Sequence, residues 1–131
     1  MKYLLDTNIC IYLINERPKQ VQAKFRRHEV SAIGVSSITV AELAFGVAKS
    51  NSTRNRAALQ TFLVPMMVVP FDVDAALVYG DLRVDLERRG QPIGPLDLQI
   101  AAHALSLNAI LVTNNEREFK KVRGLTVENW V

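Results

Sequence analysis

The stretch "PLDLQIAAHALSLNAILVTNNEREF", residues 95–119, carries three local signals in succession. Proline suits the first turn of a helix, because its missing N–H would be unpaired there anyway. From Asp97, apolar residues recur at Ile100, Ala101 and Ala104, the one-sided spacing of a helix that packs inward. That helix is expected to continue to about Leu107. "AILVT" at 109–113 then reads as a strand, the least ambiguous in the chain, and "NEREF" at 115–119 starts a short helix. A helix, a strand and another helix in so little chain is the pattern of a parallel sheet with covered faces.

Outward from this stretch the alternation repeats. Towards the N-terminus, "QPIGP" is loop, and a long amphipathic helix runs from Asp72 to Arg89 and stops at Gly90. Met67 to Val69 is a strand; "NSTRNRAALQTFL" is a helix capped near Ser52 or Thr53; Thr39 to Lys49 is another helix. Ala32 to Val35 and Tyr3 to Leu5 read as strands, with helices at Ile9–Ile14 and Lys19–Arg27 separated by "NERP". "LTVENWV" closes the chain with a strand edge. The expectation is an α/β fold: a single domain over residues 1–131, with a central, mostly parallel sheet of four to five strands flanked by helices.

The composition agrees with one domain. The chain has 131 residues, of which 49% are hydrophobic, enough for one core. "LNAILV" and "FLVPMMVVPF" are too short or too broken by proline to span a bilayer, and the N-terminus lacks a basic segment followed by a long apolar one, so no membrane association and a cytoplasmic location are expected. Cys10 is the only cysteine, which excludes disulfide frameworks and cysteine-rich zinc sites and reads as a small buried thiol. The formal charge of +3 and a pI near 9.2 are compatible with a polyanionic partner. The basic clusters at 24–28, 54–56, 87–89 and 120–123 read equally well, one by one, as solvated helix faces.

Functional groups of an open parallel sheet gather at the carboxyl ends of its strands. Asp6 stands there, after the first strand, although an aspartate at that place can also simply cap the following helix. Asp97 lies on the inward face of its helix, where stabilising the helix dipole would be served as well by an exposed acid. Glu42, in "TVAE", fits a capping box with Thr39 as cap, yet it also follows a strand and so points towards the same rim. Three converging carboxylates repel one another unless protonated or neutralised. A hard divalent cation neutralises them, and an all-oxygen set suits Mg²⁺ or Mn²⁺, whereas zinc would want histidine or cysteine at ligand spacing. With the basic excess, the chemistry this favours is phosphodiester cleavage.

The ordered set "LLDTN" (4–8), "SSITVAEL" (36–43), "RGQPIGPLDLQIAAHALSLNAILVTNNEREF" (89–119) and "ENW" near the end resembles the PIN-domain ribonucleases, specifically the VapC toxins of toxin–antitoxin pairs. The resemblance spans essentially the whole chain. It implies metal-site carboxylates at Asp6, Glu42 and Asp97, with Thr7 and Asn8 beside Asp6. A fourth acid common just after the "VT" strand is replaced here by Asn115, with Glu116 and Glu118 close by, which leaves open whether one ion or two are bound. At Asn115 the residues alone allow either an orienting amide or a helix cap. The resemblance further implies Mg²⁺-dependent endonucleolytic cleavage of RNA that arrests translation, Mn²⁺ substituting. The expected target is tRNA, by analogy initiator tRNA cut in its anticodon loop. The implied partners are a VapB-type antitoxin covering the site, a second copy in a homodimer, and a toxin–antitoxin hetero-oligomer.

Other classes make different demands. A phosphatase with an aspartyl nucleophile wants a second aspartate two residues on, where Asn8 stands; a phospho-receiver wants an acidic pair and a late lysine. A non-catalytic RNA-binding domain would keep the basic clusters without the acids' function. His103 as the base of a Ser–His pair lacks an accompanying nucleophile motif and reads as a helix-face histidine.

Overall fold

The computed structural model describes residues 1–131. Five short strands form one sheet: β1 (Tyr3–Leu5), β2 (Ile33–Ser36), β3 (Met67–Val69), β4 (Ile110–Val112) and β5 (Val127–Glu128). Their order is β3-β2-β1-β4-β5, and every pairing is parallel, so the sheet is fully rather than mostly parallel. Tyr3 stands in register with Ile33 on one side and Ile110 on the other. From β1 the chain steps outward to β2 and β3, then returns to place β4 on the opposite flank of β1. The carboxyl ends of β1 and β4 therefore border the point where the winding direction reverses, the crevice in which open α/β sheets bind their ligands.

Side-chain alternation splits the core in two. Leu5, with Ile33, Val35 and Val112, faces α1 (Thr7–Ile14), α2 (Lys19–Arg26), α3 (Ser37–Ser50) and α4 (Thr53–Leu63), a layer closed by Trp130. Leu4 and Leu111 point the other way, against α5 (Val73–Arg88), α6 (Pro95–Ser106) and α7 (Glu116–Phe119). Each buried aliphatic side chain contributes roughly 1.5–3 kcal/mol of transfer free energy, and Ala101, Ala102 and Ala104 keep α6 slim enough to sit close on the sheet.

The strands and helices lie within a few residues of expectation, with two instructive shifts. Ala32 belongs to a 3₁₀ turn, Val30–Ala32, ahead of β2 rather than to the strand. The cap of α3 is Ser36, whose hydroxyl accepts from Ile38 N at 3.0 Å, and not Thr39, which lies buried inside the helix. The capping box expected for Thr39 and Glu42 is therefore not formed. Ser52 and Asp72 cap α4 and α5 through their side chains, and Gly90, at φ 67°, ends α5 with the left-handed turn that its lack of Cβ makes cheap.

Candidate active site

Asp6 is the residue released at the end of β1. Its own N–H still donates to Val112 O at 2.8 Å, so the backbone is fixed to β4 while the side chain enters the crevice. Only 5% of Asp6 is exposed. Oδ1 accepts from Thr7 N at 2.8 Å, capping α1, and Oδ2 accepts from the Thr113 hydroxyl at 2.7 Å. Capping and site membership are thus compatible in one residue. Burial pushes the carboxyl above its ordinary value, and the two hydrogen bonds, Thr113 first, work against that push.

Glu42 reaches the same place from the second turn of α3. Its Oε1 accepts from Thr7 Oγ1 at 2.8 Å, and that hydroxyl lies 3.2 Å from Thr39 Oγ1. Thr7 therefore joins the glutamate to the aspartate, since its N–H serves Asp6 and its hydroxyl serves Glu42. Asn8, expected beside them, is exposed.

Asp97 comes from the first turn of α6, fixed by Pro95 at the helix start, and is half-buried. Its pKa is pushed up to about 6, first by burial and then by the charges of Asp6, Glu118 and Glu42, in that order. Four carboxylates from β1, α3, α6 and α7 thus share one electrostatic field. Burial, and after it the charges of Asp6 and Glu42, push the Cys10 thiol up, and Cys10 is the small buried thiol read from the sequence.

Asn115 is not drawn into this group by its side chain. It occupies the N-cap position of α7 but makes no side-chain cap bond; its N–H donates to Thr113 Oγ1 at 3.0 Å and its carbonyl accepts from Phe119 N at 3.3 Å. Of the two neighbouring glutamates, Glu118 belongs to the field of Asp97, with Oε1 accepting from Gly94 N at 3.3 Å and Oε2 paired with Lys121 at 3.2 Å. Glu116 turns to the C-terminal segment and accepts from Asn129 Nδ2 at 3.1 Å. Thr113 is the residue that sequence reading passed over. Its signal was available: it follows Val112, which stands opposite Leu5, so it must face the residue after Leu5, which is Asp6.

His103 is fully buried, with Nδ1 2.8 Å from Ser36 Oγ and its ring edge-on to Phe71 at 5.4 Å. A serine does accompany it, but neither meets solvent, and Ser36 is occupied in capping α3. The pair braces a helix start; burial holds the imidazole below its ordinary value and hence neutral.

The PIN domain family model matches residues 3–125. The tRNA(fMet)-specific endonuclease VapC of Shigella flexneri is 42% identical over 131 residues, covering 99% of this chain and 98% of that protein. The chain belongs to the PIN-domain family, among the VapC ribonucleases. Ribonuclease VapC2 of Rickettsia felis is 44% identical over 135 residues, with 99% of this chain and 98% of that one covered. Among solved structures, VapBC2 from Rickettsia felis bound to a DNA fragment from their promoter superposes with a TM-score of 0.92 at 41% identity, over the whole of both chains.

PIN-domain nucleases depend in general on divalent metal. The residues of this VapC-family chain fit such an ion by chemistry rather than by a preformed cage, since no three acids are drawn together around one point. The donors are all carboxylate oxygens, and Asp97, which has no hydrogen bond or ion pair of its own, is raised first by burial and then by the charges of Asp6, Glu118 and Glu42. A divalent cation held by Asp6, Glu42 and Asp97 would supply compensating positive charge.

Proposed function

We propose that the chain is a Mg²⁺-dependent endoribonuclease that cuts tRNA, with initiator tRNA and its anticodon loop as the target, and thereby inhibits translation. The observation that carries this reading is that Asp6 and Glu42, joined through Thr7, stand close enough to the half-buried Asp97 for their charges to add to burial in raising its pKa. Asp6, Asp97 and Glu42 would hold the ion, with Mn²⁺ able to substitute; when bound, it supplies Lewis-acid stabilisation of charge at a phosphodiester and a more acidic bound water. The protein's own contribution is orientation. Thr113 and the Thr7 N–H fix the two oxygens of Asp6, the Thr7 hydroxyl fixes Glu42, and the packed face of α6 fixes Asp97. Asn115, whose side chain makes no cap bond, would use its amide to orient a water or a substrate oxygen.

Regulation by a VapB-type antitoxin, in a toxin–antitoxin hetero-oligomer, is supported by the VapBC assemblies among the structural neighbours from Rickettsia felis and Salmonella typhimurium. Self-association into a homodimer is supported by large apolar side chains left exposed on α3 and α5, namely Phe45, Val73 and Leu77. No helix is long and apolar enough to cross a membrane.

The deciding assay incubates the purified chain with labelled initiator tRNA, an elongator tRNA and p-nitrophenyl phosphate, in Mg²⁺ and in excess EDTA. The expected result is one cut in initiator tRNA, present in Mg²⁺, absent in EDTA and absent with Asp97→Asn, without phosphomonoester hydrolysis. Cleavage that persists in EDTA would remove the metal mechanism, and hydrolysis of the phosphomonoester alone would favour a phosphatase.

A further inference from the structure

The groove of about 670 Å³ between α1, α3 and α4 opens from the carboxylate site itself, since Thr7 and Glu42, bonded to each other at 2.8 Å, form its inner end. Ile11 and Leu43 line its floor, and Arg17 and Arg54 stand along its length. Neither arginine is in an ion pair, although Glu16 and Glu42 line the same groove; the four ion pairs of the molecule, Arg83–Glu87, Arg89–Asp85, Lys121–Glu118 and Arg123–Asp85, all lie elsewhere. Their guanidinium donors are therefore uncommitted and face a channel that ends on carboxylates.

Two backbone choices along this groove carry a local cost. Gly46 sits inside α3, where glycine is roughly 0.5–1 kcal/mol worse than alanine, yet a Cβ there would meet nothing within 4 Å. No packing demand within the fold explains it; a side chain would project into the groove it lines. The turn that delivers Arg17 ends α1 with Glu16 N donating to Leu13 O and Arg17 N donating to Tyr12 O, at 3.2 and 3.1 Å. The equivalent left-handed position is glycine at Gly90 and asparagine at Asn108, but here Glu16 takes it, at φ 57°.

We infer that this groove is the channel for the single-stranded RNA flanking the cut, with Arg17 and Arg54 on its phosphates and an unstacked base against Ile11 and Leu43. This deepens the nuclease reading and rests on it. A phosphodiester held at Asp6 and Asp97 must leave the site along some surface, and this groove combines continuity with the carboxylates, uncommitted cations for phosphate and an apolar floor for a base.

The test measures binding of fluorescein-labelled initiator tRNA and of a labelled ten-residue oligouridylate to full-length Asp97→Asn protein in Mg²⁺, across a salt series, and cleavage by the otherwise wild-type protein. Arg17→Gln with Arg54→Gln should raise Kd by about ten- to a hundredfold and shrink the salt slope by about two, one per phosphate contact. Arg17→Lys should recover part of the affinity, and Gly46→Leu should raise KM more than it lowers kcat while the melting temperature holds or rises. Unchanged affinity and salt slope in the double variant would overturn the assignment, leaving the nuclease reading intact. Failure of the wild type to cut any RNA would sink the nuclease reading, and the binding series would still decide the groove. If the double variant and Gly46→Leu keep RNA affinity but release a co-expressed antitoxin, the groove is a peptide seat and the RNA assignment falls.

Discussion

The end of β1 and the start of α6 each deliver one aspartate to the same rim, but the fold treats the two differently. Asp6 is almost wholly buried and has a donor on each oxygen, Thr7 N and Thr113 Oγ1. Asp97 is half-buried and has only like charges for neighbours, with no hydrogen bond to offset them. One acid is positioned by hydrogen bonds of its own; the other is held by packing, with no hydrogen bond or ion pair to offset its charge. The difference teaches that in a site built from like charges, positioning and charge compensation can be assigned to separate residues.

The largest expected effect would erase the distinction at the level of activity. Asp6→Asn and Asp97→Asn should each lower tRNA cleavage by at least about a hundredfold, or more than 2.7 kcal/mol of transition-state stabilisation, as read by single-turnover kinetics. Near-wild-type cleavage by either variant would take that residue out of the site.

Stability should separate what activity merges. A carboxyl whose folded-state pKa lies above its ordinary 3.8, as that of Asp97 does at about 6, binds more protons folded than unfolded, so it subtracts stability as pH rises through that window. Metal-free Asp97→Asn should therefore melt higher than wild type at pH 7.5, by on the order of 1 kcal/mol after allowance for solvent screening, and the gain should vanish below pH 4. Asp6→Asn should melt at or below wild type, because its amide turns an NH₂ towards Thr113 and strands that hydroxyl's donor. Added Mg²⁺ should raise the wild-type melting temperature and leave Asp97→Asn where it was. Equal shifts for the two variants would break the comparison.

Thr113→Val tests the bonded half. The swap keeps the shape but removes the donor to Asp6 and the acceptor for Asn115 N, and should cost about 1–3 kcal/mol in thermal stability together with weaker Mn²⁺ binding. Unaltered Mn²⁺ affinity would show that Asp6 needs no such support.

The smallest effects belong to Asn115. Asn115→Ala should slow cleavage less than Asp97→Asn does, with little change in stability because the side chain makes no cap bond. Asn115→Asp should keep activity and tighten Mn²⁺ binding by calorimetry, as a fifth carboxylate joining the four. Unchanged affinity and stoichiometry would leave the site to the acids already present.

By itself the sequence determined the class of fold and pointed to Asp6, Glu42 and Asp97 as the candidate acids. The short continuous apolar runs in "YLLD" and "AILVT" and the one-sided spacing behind Asp97 are local consequences of buried-strand and helix geometry, so they can be read without knowing what the segments touch. Tertiary structure decided what depends on where segments let go of one another. β2 stays extended as far as Ser36 because Ser36 pairs with Val69 of β3, so Ser36 and not Thr39 becomes the cap of α3, and Glu42 is left to Thr7. The rotation of α7 over β4 and β5 sends Glu118 towards Asp97 and Glu116 towards Asn129, although only Arg117 separates the two in the sequence. Thr113 meets Asp6 only because β4 pairs with β1, a contact across 107 residues. Local geometry fixes periodicity along the chain, but strand order and helix rotation are set by the packing of distant segments, and those decide which polar atoms share a crevice.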